Sequence, residues 1–149
     1  MPEEQRFHLA IGSRVENIEL VQVVLKDCLE RLGMGDGARD GVDLAVREAL
    51  ANAIKHGNEQ NPSKQVHVDL EVEGEEVVIR VEDEGAGFDP AQVPDPLAQE
   101  NLRKTNGRGI LFMKQYMDEI EYGAGPRGGT MVTLRKRLTS AQADDSRHD

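Results

Sequence analysis

The stretch REALANAIKHGN, Arg47 to Asn58, carries two patterns at once. Together with the residues just before it, apolar side chains recur at Val42, Ala45, Val46, Ala49, Leu50, Ala53 and Ile54. That is the spacing of one helix face, and it predicts a helix that starts near Asp36 to Asp40 and runs to His56. The apolar side is rich in alanine, so this helix can lie close against a sheet. Glu48, Asn52 and His56 stack along another side, and Gly57 with Asn58 ends the run. A carboxylate and an amide oxygen one turn apart are hard oxygen groups, suited to a magnesium ion or to an activated hydroxyl or water. The same pair is also common on an ordinary solvated face, and His56 by itself fits a helix end beside the C-terminal dipole.

On the N-terminal side, Val15, Ile18, Val21 (or Leu20), Leu25 and Leu29 recur at helical spacing. They predict an amphipathic helix from Arg14 to Leu32, with Ser13 as its N-cap and the glycine-rich stretch Gly33 to Gly37 as its stop. Before it, RFHLAI, Arg6 to Ile11, reads as a short edge strand. On the C-terminal side, Val66, Val68, Leu70 and Val72 alternate with polar residues, Gly74 marks a turn, and Val77, Ile79 and Val81 alternate again, which predicts a β-hairpin. Glu84 to Gly109 has no clean periodicity and holds Pro90, Pro94 and Pro96. A stretch this long without regular structure reads as a functional lid or a disordered segment. A helix is expected from near Arg108 to Tyr116 or Met117, then a short strand around Ile120 and Tyr122, a turn over Gly123 to Gly129, and a last strand from Thr130 to Leu138. The polar tail, residues 139–149, is expected to be disordered. The order β-α-α-β-β-lid-α-β-β predicts one α+β domain over residues 1–138: a two-layer α/β sandwich with a mixed, mostly antiparallel sheet covered on one face by helices.

Two glycine motifs follow the helix. In VEDEGAGFDP, Val81 to Pro90, a strand ends at an acid and Asp83-x-Gly85-x-Gly87 comes at once. Glycines there permit a tight turn and a close approach of backbone to a ligand. A carboxylate at a strand end can accept a hydrogen bond from an exocyclic amine such as that of adenine; an acidic turn after a strand is the plainer alternative. In TNGRGI, Thr105 to Ile110, Gly107 and Gly109 open a helix, whose free N–H groups and positive dipole end suit an anion. Arg108 and Lys104 add local positive charge. The Gly-Lys-Ser/Thr ending of a Walker A loop is missing, and no parallel βαβ unit surrounds the loop as a dinucleotide fingerprint requires.

The chain has 149 residues, with 18 Lys and Arg against 28 Asp and Glu, a formal net charge of −10. Such a surface repels phosphate backbones and anionic lipids, which argues against direct nucleic-acid or membrane binding, though not against one anion held locally. Cys28 is the one cysteine, so neither an internal disulfide nor a cysteine metal cluster can form. Its neighbours Val24, Leu25 and Leu29 make it a small core residue. No apolar run approaches a membrane span and no signal pattern opens the chain, so the expected location is the cytoplasm.

Together, Glu48-x-x-x-Asn52, Asp83-x-Gly85-x-Gly87, Gly107-x-Gly109 and the strand opening at Gly128-Gly129-Thr130 resemble the Bergerat-fold ATPases: gyrase, the heat-shock chaperone, MutL and the histidine kinases. The resemblance covers Phe7 to Leu138. Within that superfamily, the small size and the wording EALANAIKHGN resemble the anti-sigma-factor serine/threonine kinases of bacterial partner-switching systems.

The resemblance implies ATP and Mg²⁺ as cofactors. It makes Asn52 the magnesium ligand and Glu48 the general base that deprotonates the attacking hydroxyl. It makes Asp83 the acceptor of the adenine amine, supported by Thr130, and it lets Gly85 and Gly87 pass close to the nucleotide. Gly107, Arg108 and Gly109 close over the phosphates as the last segment of a lid at about residues 84–109, and His56 is supporting or structural. The implied partners are a small anti-anti-sigma protein, phosphorylated on serine or threonine, and a sigma factor, with the kinase a homodimer. The first helix and the rim beside the lid form the implied partner surface. A basic residue often helps docking there; the candidates are Arg14, Lys26 and Arg31, and the mid-helix position holds Gln22. Two other readings compete: a non-catalytic ATP- or ADP-binding module that sequesters a partner, and a detached histidine-kinase ATPase domain. Glu48 favours the enzyme over a scaffold, and none of His8, His56, His67 or His148 sits in a phospho-accepting helical hairpin.

Overall fold

A computed structural model describes residues 6–85 and 114–138. The elements are β1 (Arg6–Gly12), α1 (Ile18–Arg31), α2 (Asp36–Asn52), β2 (Gln65–Glu73), β3 (Glu76–Glu82), β4 (Glu119–Ala124) and β5 (Thr130–Arg137). A 3₁₀ turn, Val15–Asn17, leads into α1, and a π-helical turn, Ala53–Gly57, follows α2. No helix of the described residues is long and apolar enough to cross a membrane.

The five strands form one sheet in the order β1-β2-β3-β5-β4. All four pairings are antiparallel, including β1 with β2, where Leu9 faces Val68, and β3 with β5, where Val81 faces Val132. The expected two-layer α+β sandwich therefore forms, but among the described residues its sheet has no parallel pair. Two helices joined by the short Leu32–Gly35 link separate β1 from β2, so the chain reverses three times and returns antiparallel. The β3–β4 connection is the long one, and β5 inserts between its two strands.

Period-two patterning splits the sheet into two faces. Val66, Val68 and Leu70, Val77, Ile79 and Val81, and Val132 and Leu134 all face the helices and are buried. Against them pack Val21, Leu25 and Leu29 of α1 and Val42, Val46 and Leu50 of α2. Each such side chain taken from water contributes roughly 1.5–3 kcal/mol, so this layer is the main source of stability. Cys28 is buried in the same core, and burial, the largest cause, raises its thiol pKa, with the nearby Asp27 adding to it. The opposite face carries ion pairs: Arg80 reaches Glu71 at 2.7 Å, and Arg135 reaches Glu73 at 3.3 Å.

Two local expectations are corrected. Ser13 is no N-cap: the residue before the 3₁₀ turn is Arg14, and Ser13 is buried, its hydroxyl donating to Lys64 O at 2.7 Å. The helix predicted to reach His56 is α-helical only to Asn52 and continues as a π turn. The helix expected to begin near Arg108 is described only over residues 114–116. Its start, most of the stretch read as a lid, and the tail 139–149 lie outside the described residues.

Candidate functional site

A cavity of about 220 Å³ lies between α2 with its π turn and the end of the sheet. Ala49, Asn52, Ala53, His56 and Gly57 form its helix wall. Val81 and Asp83 line it from the end of β3, Thr130 and Val132 from β5, and Tyr122 from β4. The strand residues are two apart, so each pair projects to the helix side of the sheet. Alanine at positions 49 and 53 leaves room where a larger side chain would fill the space. The π turn shifts the helix path here: Asn58 N–H donates to Ala53 O at 2.8 Å and Gln60 N–H to Ile54 O at 2.7 Å. Single π turns are frequent at functional sites.

Asp83 is the buried acid of the cavity, 6% exposed. Its Oδ1 accepts from Gly85 N–H at 2.9 Å and from Thr130 N–H at 3.1 Å. Its own N–H donates to Thr130 O at 3.0 Å. Oδ2 lies against Gly57, and among the described residues no hydrogen bond occupies it. The carboxylate is thus fixed through one oxygen and presents the other. A Cβ on Gly129 would overlap the Asp83 carbonyl oxygen, and one on Gly85 would overlap the Gly57 carbonyl. The glycines allow two turns to close directly on this one residue.

The next residue, Glu84, is tied down separately. Its N–H donates to Asn58 Oδ1 at 2.7 Å, and its carboxylate meets His67 Nε2 at 2.7 Å and Gln65 N at 3.2 Å. The His67 hydrogen bond is the largest cause of its lowered pKa. Asn58, 1% exposed, also donates from Nδ2 to Ser13 Oγ at 2.8 Å and to Gln65 O at 3.0 Å. One amide therefore joins the π turn, β1, β2 and the strand end that carries Asp83.

The sequence-derived candidates separate as follows. Asn52, Asp83 and Thr130 line one cavity, with His56 beside them, and Gly85 holds Asp83 by its N–H. Glu48 is half-buried one turn before Asn52 and does not line the cavity. Its carboxylate lies near enough to act on Tyr122, which does: the Tyr122 phenol is pushed up to about 12, first by burial and then by Glu48. Gly87, Gly107, Arg108 and Gly109 lie outside the described residues. Gly57, Asn58 and Tyr122 were not singled out as site residues. Gly57 and Asn58 read as a helix stop, although an amide directly after His-Gly is a polar group that a helix end does not need.

A profile of the histidine kinase-like ATPase domain matches residues 11–136. The anti-sigma F factor of Heyndrickxia coagulans is 34% identical over 94% of this chain and 97% of its own length. That of Bacillus subtilis (strain 168) is 27% identical over 94% of this chain and 97% of its own. Among solved structures, the RsbU and RsbW domains of a Mycobacterium tuberculosis protein superpose with a TM-score of 0.66 at 20% identity, over 90% of this chain and 32% of that one. A blue-light activated histidine kinase of Erythrobacter litoralis superposes with a TM-score of 0.58 at 22% identity, over 74% of this chain and 33% of that one. The two structures agree with the helix-on-antiparallel-sheet fold, and the profile runs from the end of β1 through nearly all of β5: the chain belongs to the histidine kinase-like (Bergerat, GHKL) ATPase family, with anti-sigma F factors among its relatives.

Proposed function

We propose that the cavity takes an adenine nucleotide, and that the protein is an ATP-dependent serine/threonine kinase and anti-sigma factor acting on a small anti-anti-sigma partner. The observation that carries the nucleotide assignment is Asp83, fixed through Oδ1 by two backbone amides and with no hydrogen bond at Oδ2 among the described residues. An exocyclic amine can donate to that oxygen. Guanine presents a carbonyl at the equivalent place and would meet carboxylate lone pairs. Ala49, Ala53, Val81 and Val132 give the flat apolar walls that a purine ring needs. The names of the full-length relatives support the anti-sigma role.

For phosphoryl transfer, the amide oxygen of Asn52 is a hard ligand of the kind Mg²⁺ accepts beside phosphates and water. When bound, that ion neutralises phosphate charge, which is the main electrostatic demand of the reaction. Glu48, one turn earlier, takes the proton of the incoming serine or threonine hydroxyl. The hydroxyl oxygen then bonds to the γ-phosphorus and ADP departs. Gly85 and Gly87 keep the backbone close to the nucleotide, and Gly107, Arg108 and Gly109 supply donors and one cation to its phosphates. An acidic protein needs such local compensation to hold a polyanion.

The partner surface proposed is α1. Leu20 and Val23 are 60% and 69% exposed there, and Val24 is exposed beside them. Of the basic candidates, Arg31 is tied to Asp27 at 2.8 Å and Lys26 lies beside Asp43, whereas Arg14 is exposed with no ion pair among the described residues. Arg14 is therefore the best placed to meet an acidic partner. Binding would use the protein as a homodimer. Pull-down from the native cell with and without ATP tests the whole reading. Recovery of a small protein phosphorylated on serine or threonine supports the kinase, and a polymerase specificity subunit supports the anti-sigma role. Absence of both, with Mg-ADP giving no saturable heat by calorimetry, removes it.

A further inference from the structure

We infer that Glu82, on the far side of the sheet from the cavity, is a positioning residue that sets the base selectivity of the site. The inference rests on the adenine-nucleotide reading of Asp83. Glu82 and Asp83 are consecutive, so their side chains leave the strand on opposite faces. On the outer face an acid is ordinarily solvated, yet Glu82 is 3% exposed. Its Oε1 meets Arg127 Nη1 at 2.6 Å and its Oε2 accepts from Arg127 N–H at 2.7 Å. A Cβ on Gly125 would overlap its Oε2. The carboxylate thus holds the β4–β5 turn at both a side chain and a backbone amide.

That turn passes the end of β3 to the other face. Gly125 N–H donates to Gly129 O at 2.8 Å and Gly128 N–H to Gly125 O at 3.1 Å, so residues 125–129 close as one unit. Gly129 then packs on the Asp83 backbone, and Thr130 N–H reaches Asp83 Oδ1. Glu82 grips one end of the unit and Asp83 meets the other. Loosening the grip frees the Thr130 N–H from its place. Asp83 can then rotate and offer either oxygen, or a gap, to the ligand. An amine-bearing base loses its fixed acceptor, while a base with a carbonyl at that position loses its repulsion. The ratio of the two affinities is the quantity that should move.

The test is calorimetric affinity for Mg-ADP and Mg-GDP on the full chain, in wild type, Glu82→Gln, Arg127→Ala and Arg127→Lys. Glu82→Gln keeps an acceptor for the Arg127 N–H and leaves a guanidinium whose side chain is 42% exposed, so it folds even where Arg127→Ala, which strips the side-chain partner from the buried Glu82 carboxylate, does not. We expect wild type to prefer ADP. In Arg127→Ala and Glu82→Gln that preference narrows by about tenfold, which is about 1.4 kcal/mol of discrimination, and Arg127→Lys restores most of it. A role in stability alone lowers the melting temperature and leaves the ratio unchanged, and that result overturns the inference. Wild type with no preference for ADP overturns the adenine reading itself, and the inference with it.

Discussion

Gly57 and Asp83 are packed backbone against carboxylate, so closely that a Cβ on Gly57 would run into Asp83 Oδ2. A glycine read as a helix stop is thus what allows the π turn to lie against the acid of the cavity. Gly57→Ala must displace one or the other. We expect Mg-ADP affinity to fall at least tenfold while the far-UV spectrum is retained, because the hydrophobic layer between α1, α2 and the sheet is untouched. Calorimetry on the purified variant checks this, and unchanged affinity would show that Oδ2 does not face the ligand.

Glu48 and Asn52 make a separable pair. Asn52 lines the cavity and Glu48 does not. Glu48→Gln is expected to keep Mg-ATP binding within about threefold and to lose phosphoryl transfer by at least about 100-fold, the usual scale of a general base. Asn52→Ala is expected to lose both. The measurement is nucleotide affinity beside transfer to the partner recovered from the native cell. Equal turnover in Glu48→Gln would leave a nucleotide-dependent binding module in place of a kinase.

Much of this arrangement was legible in the amino-acid order, and the reasons differ by element. α2 could be read because seven apolar positions repeat at helical spacing, and the β2–β3 hairpin because Val66 to Val72 and Val77 to Val81 alternate. Asp83 and Thr130 could be linked only through the family resemblance, since forty-seven residues separate them. What stayed hidden depends on long-range closure. Nothing local in β5 says that it inserts between β3 and β4. Ser13 has the type and place of a helix cap, and only the arrival of Asn58 and Lys64 turns it inward. Glu82 occupies a strand position facing away from the helices and reads as solvated until Arg127 covers it.

Tyr122 offers a pH test of the same site. Its folded pKa of about 12 lies above the ordinary value of 10.0, first through burial and then through Glu48. The sign follows from linkage: the native state holds this proton more tightly than the unfolded state, so its contribution is complete below pH 10 and is lost as pH rises toward about 12. Tyr122→Phe should flatten the loss of stability over that window. In a Tyr116→Phe background, which leaves one tyrosine to titrate, Glu48→Gln should lower the phenol midpoint without bringing it to the ordinary value, since burial remains. Phenolate absorbance against pH reads it directly. A midpoint unmoved by Glu48→Gln would place that carboxylate away from the cavity.

Asn58 should be among the most costly polar residues to remove. Its Oδ1 holds Glu84 N–H, and its Nδ2 holds Ser13 Oγ and Gln65 O, all from a site 1% exposed. Asn58→Ala leaves a donor and acceptors without partners, each costing about 1–3 kcal/mol, so a total loss of about 3 kcal/mol or more is expected in urea unfolding. Asn58→Asp keeps the acceptor for Glu84 N–H but sets a charge against the Gln65 carbonyl, and it should be no more stable than the alanine variant. The two should nevertheless differ in ligand binding. The Glu84 N–H anchor lies one residue past Asp83, so the variant that keeps it should hold more of its Mg-ADP affinity under conditions where both are folded. Equal affinities would mean that Asn58 supports the fold alone, and that Asp83 is held in place entirely by Gly85 and Thr130.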